Sequence, residues 1–198
     1  MKATEGIRTF VEHKVDGVWQ RVANEIAPPD PPLEASWNLY RNFELFGLLA
    51  GVDVKHFEAY IQPRSLPNDV SEEVKTAWNE GQNACVPSYW TLSELIECGA
   101  KSQAFTALVD MGEYRAFKKN GHPNSWNSAY GSYKIVSNQV MERVMKMANL
   151  VEGTYCTEVA FEYPYKLVSK RLWDDLIPAM QKLDEDVNNV RMVFWFER

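Results

Sequence analysis

The closing stretch NVRMVFWFER, residues 189–198, restricts the fold more than any other part of the chain. Its period-two pattern is that of a β-strand with Val190, Met192, Phe194 and Phe196 on one face. Burying such a row contributes roughly 1.5–3 kcal/mol per large side chain, so the strand belongs inside a sheet and needs neighbours. IRTFVEHKVDGVWQRV, residues 7–22, offers them. Ile7, Thr9, Val11 and His13 alternate there with Arg8, Phe10, Glu12 and Lys14, and Asp16-Gly17 supplies a hairpin turn. TYCTEVAFEY, residues 154–163, alternates as well, with Thr157, Val159, Phe161 and Tyr163 on one side. With the helix that follows it, this segment fits a right-handed parallel crossover into the closing strand.

The middle of the chain reads as helices. SWNLYRNFELFGLLAGV, residues 36–52, holds a short one ending near Gly51, and its two glycines allow close packing. Ser71 caps the next, Glu72 and Glu73 sit at its positive end, and Gly81 stops it. Thr91 and Glu94 form a capping box that opens a helix running to about Cys98 or Gly99. Phe105, Leu108, Val109, Gly112 and Ala116 mark one face of another, which ends near KKNG. Val140, Val144, Met147 and Val151 mark a further one, stopped by Gly153. Leu172, Leu176, Met180 and Leu183 suit a last helix, in which Pro178 forces a kink or a restart. APPDPPLE, residues 27–34, is a proline-rich connector along the surface, and GHPNSWNSAYGSY, residues 121–133, a turn-rich loop. The expectation is an α+β fold in a single globular domain, 1–198. A small mixed sheet is built from the N-terminal hairpin and the C-terminal strands, with several helices packed on one face.

Composition narrows the function. The chain is 45% hydrophobic and 24% charged, as in a globular protein, and its longest apolar runs fall far short of the ~20 residues that span a bilayer. MKATEGIRTFVEHK lacks the apolar core of a signal peptide, which predicts a cytoplasmic location and no membrane partner. The net charge of -6 argues against general nucleic-acid binding, although two or three local arginines still suffice for a small anion. Cys85, Cys98 and Cys156 are odd in number and widely spaced, which fits packed thiols better than a disulfide framework or a metal site. His13, His56 and His122 share no ligand spacing, so neither a metal nor a cofactor is expected. No P-loop, dinucleotide fingerprint or serine-nucleophile context occurs, and no catalytic residue is singled out.

What remains is binding. Arg41, Asn42, Arg64, Ser65 and Asp69 lie among Trp37, Tyr40, Tyr89 and Trp90, and an arginine beside rings can clamp a phosphate, stack on a base or anchor a protein. The plainer alternative is that Arg41 and Arg64 bond to backbone carbonyls of an irregular region.

RNFELFGLLAGV, QPRSLPNDVSEEV, SYWTLSEL and VRMVFWFER, in that order and spacing along the whole chain, resemble a group of bacteriophage and prophage proteins. The group's blocks read R-N-Y-x-L-F-x-x-L-A-x-V-R, P-R-G-L-P-x-D-V-S, H-S-x-S-W/Y-L-T-L-x-E-L and V-R-I-V-F-W-F-D-N. The resemblance marks Arg41, Asn42, Arg64, Leu66, Pro67, Asp69, Ser71, Ser88, Thr91, Arg191 and Trp195 as the matching polar or special positions. It also has departures: NACVPSYWTL lacks the group's His-Ser, Asp53 stands for the arginine after LAGV, and Glu197-Arg198 replace Asp-Asn. The resemblance suggests a phage source more than a mechanism. Together with the missing nucleophile motifs and the arginines set among rings, it leads to the expectation of a phage-encoded accessory protein acting in the host cytoplasm. It would bind a host factor, either a defence protein or a small nucleotide-like signal, without turnover. Trp195 joins the binding candidates, and a homo-oligomer is allowed. A hydrolase of a small phosphorylated or nucleotide substrate is the alternative, and a virion component a third.

Overall fold

The computed structural model describes residues 6–22, 42–52, 56–126, 131–147 and 154–198. The chain divides into two compact units, a terminal unit of Met1–Lys101 with Tyr165–Arg198 and an inserted unit of Ser102–Pro164.

In the terminal unit β1 (Gly6–Val15) and β2 (Val18–Arg21) form the expected hairpin. Asp16 and Gly17 both take positive φ, 50° and 83°, as a two-residue turn matched to the strand twist requires. β3 (Ala84–Thr91) and β7 (Val190–Glu197) complete a four-stranded antiparallel sheet of order β2-β1-β7-β3. β7 thus lies between β1 and β3, and every residue from Val190 to Phe196 is buried. A strand buried on both faces needs two covers. On one face α2 (Glu72–Glu80) inserts Val74 against Phe10, Val193 and Trp195. On the other, α1 (Phe43–Ala50) brings Phe46 edge-on to Phe196, ring centroids 5.1 Å apart. The α+β class and the hairpin-plus-closing-strand sheet are as expected, while the helical cover, expected on one face, is found on both.

Both glycines of LFGLLAGV serve packing or termination. A Cβ on Gly47 would lie 2.5 Å from the Phe57 carbonyl oxygen, and Gly51, at φ 65°, closes α1. α3 (Leu92–Gly99) opens on the capping box of Thr91 and Glu94. Near the C-terminus a π-helical turn, Arg171–Leu176, precedes α6 (Ile177–Met180). Pro178 has no N–H to donate, and the helix widens just before it.

The inserted unit pairs β4 (Ser102–Asp110) antiparallel with β6 (Tyr155–Pro164), and β5 (Lys134–Ile135) runs parallel beside β6. α4 (Met111–Asn120) and α5 (Asn138–Val144) supply Met111, Tyr114, Met141 and Val144 to a core with Val109, Val159 and Phe161.

Three expectations are corrected. β6 does not enter the sheet of β7, so the parallel crossover between them does not exist. The helix drawn through Phe105, Leu108 and Val109 is strand as far as Asp110, whose carboxylate then caps α4 by accepting the Glu113 N–H at 2.9 Å. Phe105, Ala107 and Val109 alternate toward the core, a period-two reading that those residues satisfy as well as the helical one. In α5 the buried stripe is Met141 and Val144, whereas Val140 and Met147 are exposed, because the helix begins at its Ser137 cap and turns the next position inward. Trp37, Tyr40, Arg41, Val151 and Gly153 lie outside the described residues.

Candidate functional site

The register of β7 sets Arg191 beside Glu12 of β1 and Thr91 of β3. Glu12 is fully buried and Arg191 nearly so, at 3% exposure. An arginine inside so apolar a strand is tolerable only if its charge and donors are met. They are. Arg191 Nε donates to Glu12 Oε2 at 2.7 Å, Nη1 to Asp69 Oδ1 at 2.8 Å and Nη2 to the Asp69 carbonyl at 3.1 Å. The second Glu12 oxygen accepts the Ser71 N–H at 2.7 Å, and Trp19 Nε1 donates to Asp69 Oδ2 at 2.9 Å. Burial pushes the Asp69 carboxyl up, but the Arg191 hydrogen bond and charge, with the Trp19 N–H, bring it below the ordinary carboxylate range.

Around this network rings and cations alternate. Lys14 lies 5.6 Å over Trp19, Arg191 4.0 Å over Trp19 and 5.7 Å over Tyr89, and Arg64 5.4 Å over Tyr89. Arg64 ends the series at the surface, one-third exposed. Its Nη1 and Nη2 donate to the two Glu94 oxygens at 3.0 and 2.6 Å, a bidentate fork. Glu94 also accepts the Thr91 N–H at 2.9 Å. Although burial raises the Glu94 carboxyl, these donors hold it below its usual range. The loop is pinned by the Arg64 N–H, which donates to the buried Ser88 hydroxyl at 3.1 Å, and Ser65 follows at φ 66°. Ser88 sits just after a bulge in β3, where Val86 takes φ 50°, an uncommon conformation for a β-branched residue.

Of the expected site residues, Arg64, Ser65, Asp69 and Tyr89 share this face. Asn42 instead serves its own helix. Its Oδ1 caps α1 by accepting the Leu45 N–H at 3.0 Å, and its Nδ2 donates to the Val168 carbonyl at 2.8 Å. Trp90 and Trp195 are fully buried, and Trp195 stacks on Phe10 at 4.9 Å. Arg41 lies outside the described residues. Glu12 and Trp19 are not among the expected residues, and Arg191 enters only through the resemblance. The available signal is a lone cation inside an otherwise apolar strand, which demands a buried carboxylate.

Two of the three thiols, the groups best able to start covalent chemistry, are subdued. Burial, with the Glu97 charge, pushes the Cys98 thiol up to about 12. Burial, with the Asp110 charge, raises that of Cys156. His13 Nε2 lies 2.9 Å from Asp184 Oδ2, and His122 Nδ1 meets the Pro123 carbonyl at 3.0 Å. Among the described residues no cluster of three or more His, Cys, Asp or Glu is placed to hold a metal ion, and no helix is long and apolar enough to cross a membrane.

No protein-family model, curated protein or solved structure matches the chain.

Proposed function

We propose that the chain is a bacteriophage-encoded accessory protein that works in the cytoplasm of an infected bacterium by binding a host factor, counteracting antiviral defence without turnover. The phage source is supported by the four ordered sequence blocks. The observation that carries binding is the Arg64 face, where a guanidinium is held by a bidentate carboxylate, stacked on Tyr89 and still one-third exposed. Arginine and tyrosine fixed in advance are the residues that dominate protein–protein hot spots, and their fixing lowers the ordering cost of association. With Glu94 occupying both outer nitrogens, a free phosphate would have to displace a carboxylate already in place. Carbonyl and aromatic edges of a protein partner would not. The host factor read at this face is therefore a protein.

The test is co-purification from infected cells of wild-type protein and the Arg64→Ala and Arg64→Lys variants. One host polypeptide should accompany the wild type in stoichiometric amount and be lost with both variants, since lysine cannot reproduce the fork. Stability should change by no more than about 1 kcal/mol, the range for exposed ion pairs. Retention of the partner by Arg64→Ala would refute the assignment of the face. Conversion of a phosphorylated metabolite by substoichiometric protein would refute binding without turnover.

A further inference from the structure

The inserted unit treats its cations differently, and there the geometry points to a second binding site: an anion-binding cleft on α4 and α5 for a small molecule carrying two or more phosphate-type charges. Arg115, Lys118 and Lys119 recur at offsets of three and four along α4, which places them on one helix flank. Met111 and Tyr114 stand one turn before Arg115 and Lys118 on the same side of the helix and reach the core, while the longer cations run past them to the surface, Arg115 Nη2 donating to Met111 Sδ at 3.3 Å on the way. α5 repeats the arrangement, sending Met141 and Val144 inward. Glu142, with Met145 and Lys146 on the turn after α5, completes the other wall. Together the six residues line an open concavity of about 410 Å³.

Beside Arg115, the three lysines of the cleft, Lys118, Lys119 and Lys146, face one carboxylate, Glu142. Lys118 Nζ donates to Glu142 Oε1 at 3.0 Å, and the Tyr114 hydroxyl approaches the same oxygen at 3.4 Å. The Lys118 hydrogen bond and charge hold the Glu142 carboxyl below its usual range, and Lys146 adds its attraction from further off. Among the described residues neither Lys119 nor Lys146 belongs to an ion pair. The contrast with the rest of the chain is sharp. Residues 102–164 contain six Lys or Arg and six Asp or Glu, so the net charge of -6 falls entirely outside this unit. A local excess of positive charge in so acidic a chain is felt only within a Debye length, about 8–10 Å at physiological salt. Such a field retains an anion already in the cleft and does not track a polymer.

The helix dipoles favour cations in the last turns of α4 and α5, which accounts for Lys118 and Lys119 singly. They do not account for the convergence of lysines from both helices on one hollow. The volume falls within the range of small-molecule sites, ~300–1,000 Å³, and the excess of cations over carboxylate calls for a multiply charged ligand. Met145 and the aliphatic stems of the lysines offer an apolar wall to the uncharged part of such a ligand. This site is independent of the Arg64 face and of any phage source.

Titration calorimetry with inorganic pyrophosphate, at low and then physiological salt, tests the cleft directly. Wild-type protein should bind one equivalent, with affinity falling as salt rises. Lys119→Ala/Lys146→Ala should weaken binding by at least about tenfold, as expected for the loss of charged hydrogen bonds. Lys119→Arg/Lys146→Arg should stay within about threefold of wild type, because charge and reach are kept. An unchanged melting temperature in both variants would confirm that the fold is intact. Absence of saturable binding near 1 mM pyrophosphate, or equal affinity in the Ala variant, would overturn the proposal. So would tight binding of duplex DNA that pyrophosphate does not compete away, which would make the surface a nucleic-acid contact instead.

Discussion

Three arginines of the terminal unit are tied to carboxylates within the fold: Arg191 to Glu12 and Asp69, Arg64 to Glu94, Arg8 to Glu197 at 2.9 Å. In the inserted unit Lys118 reaches Glu142, but Lys119 and Lys146 stand in solvent without an ion pair among the described residues. The difference follows from topology. β7 has a covering layer on both faces, so a charged residue placed on it must be matched inside. α4 and α5 each bury only a narrow stripe, and the long side chains beside it reach out to water, where a lysine needs no partner. Paired charges of the first kind make a surface whose arginine is fixed and neutralised, suited to a protein partner. Unmatched charges of the second kind make a field, suited to an anion.

Arg191 offers the largest way to break this comparison. Arg191→Ala would leave Glu12 buried with a charge and no counter-ion, a defect that costs ~3–5 kcal/mol. Replacing both partners at once, Glu12→Leu with Arg191→Met, should recover part of that loss, since no charge is orphaned, but the Ser71 N–H that Glu12 accepts is left without an acceptor at a cost of about 1–3 kcal/mol. Chemical denaturation of the single and double variants reads both numbers. If Arg191→Ala costs less than about 1 kcal/mol, the network is peripheral and the terminal unit does not differ from the inserted one in kind.

That network also marks where sequence reasoning stops. The Asp16-Gly17 turn, the Thr91–Glu94 capping box and the Gly51 helix end are legible because each is decided by residues within four positions. Glu12 and Arg191 stand 179 residues apart, and neither shows from its surroundings that it is buried against the other. β4 escapes for a different reason. Phe105, Leu108 and Val109 fit a helical stripe, while Phe105, Ala107 and Val109 fit a strand, and only pairing with β6 selects the second. The same ambiguity misplaces the core face of α4. With a helix drawn through Phe105, Leu108 and Val109, that face passes through Gly112 and Ala116; with α4 starting at Met111, it passes through Met111 and Tyr114. Of the expected binding residues, Trp90 and Trp195 are spent on packing, and aromatic content alone does not separate a buried ring from an exposed one.

Acid sharpens the contrast at an intermediate scale. The carboxyls of Asp69 and Glu94 are held below their ordinary values when folded. Each therefore contributes stability that is present above the unfolded value, near 4, and is lost as pH falls through the depressed folded one. The effect should be about 0.2–1 kcal/mol per carboxylate, because Asp69 and Glu94 are both partly exposed. Stability should thus decline below about pH 4, and the Asp69→Asn and Glu94→Gln variants should show a shallower decline. An identical slope in wild type and both variants would mean that these pairs contribute nothing to the acid response.

The smallest expected effect separates a site from a scaffold. Lys119 stands four residues after Arg115 and in the last turn of α4, so like-charge repulsion and the helix dipole act on it in opposite directions. Lys119→Gln should therefore leave the melting temperature essentially unchanged and weaken pyrophosphate binding by at least about threefold, half of the free-energy loss of the double variant. That pairing of unchanged stability with a binding loss is the signature of a residue kept for a ligand and not for the fold. Arg191 predicts the reverse, since its removal damages the fold first. The melting curve and the titration on Lys119→Gln decide the matter together. A lower melting temperature with pyrophosphate affinity intact would place Lys119 with Arg191, as a residue the structure needs, and would leave the cleft without one of its three lysines.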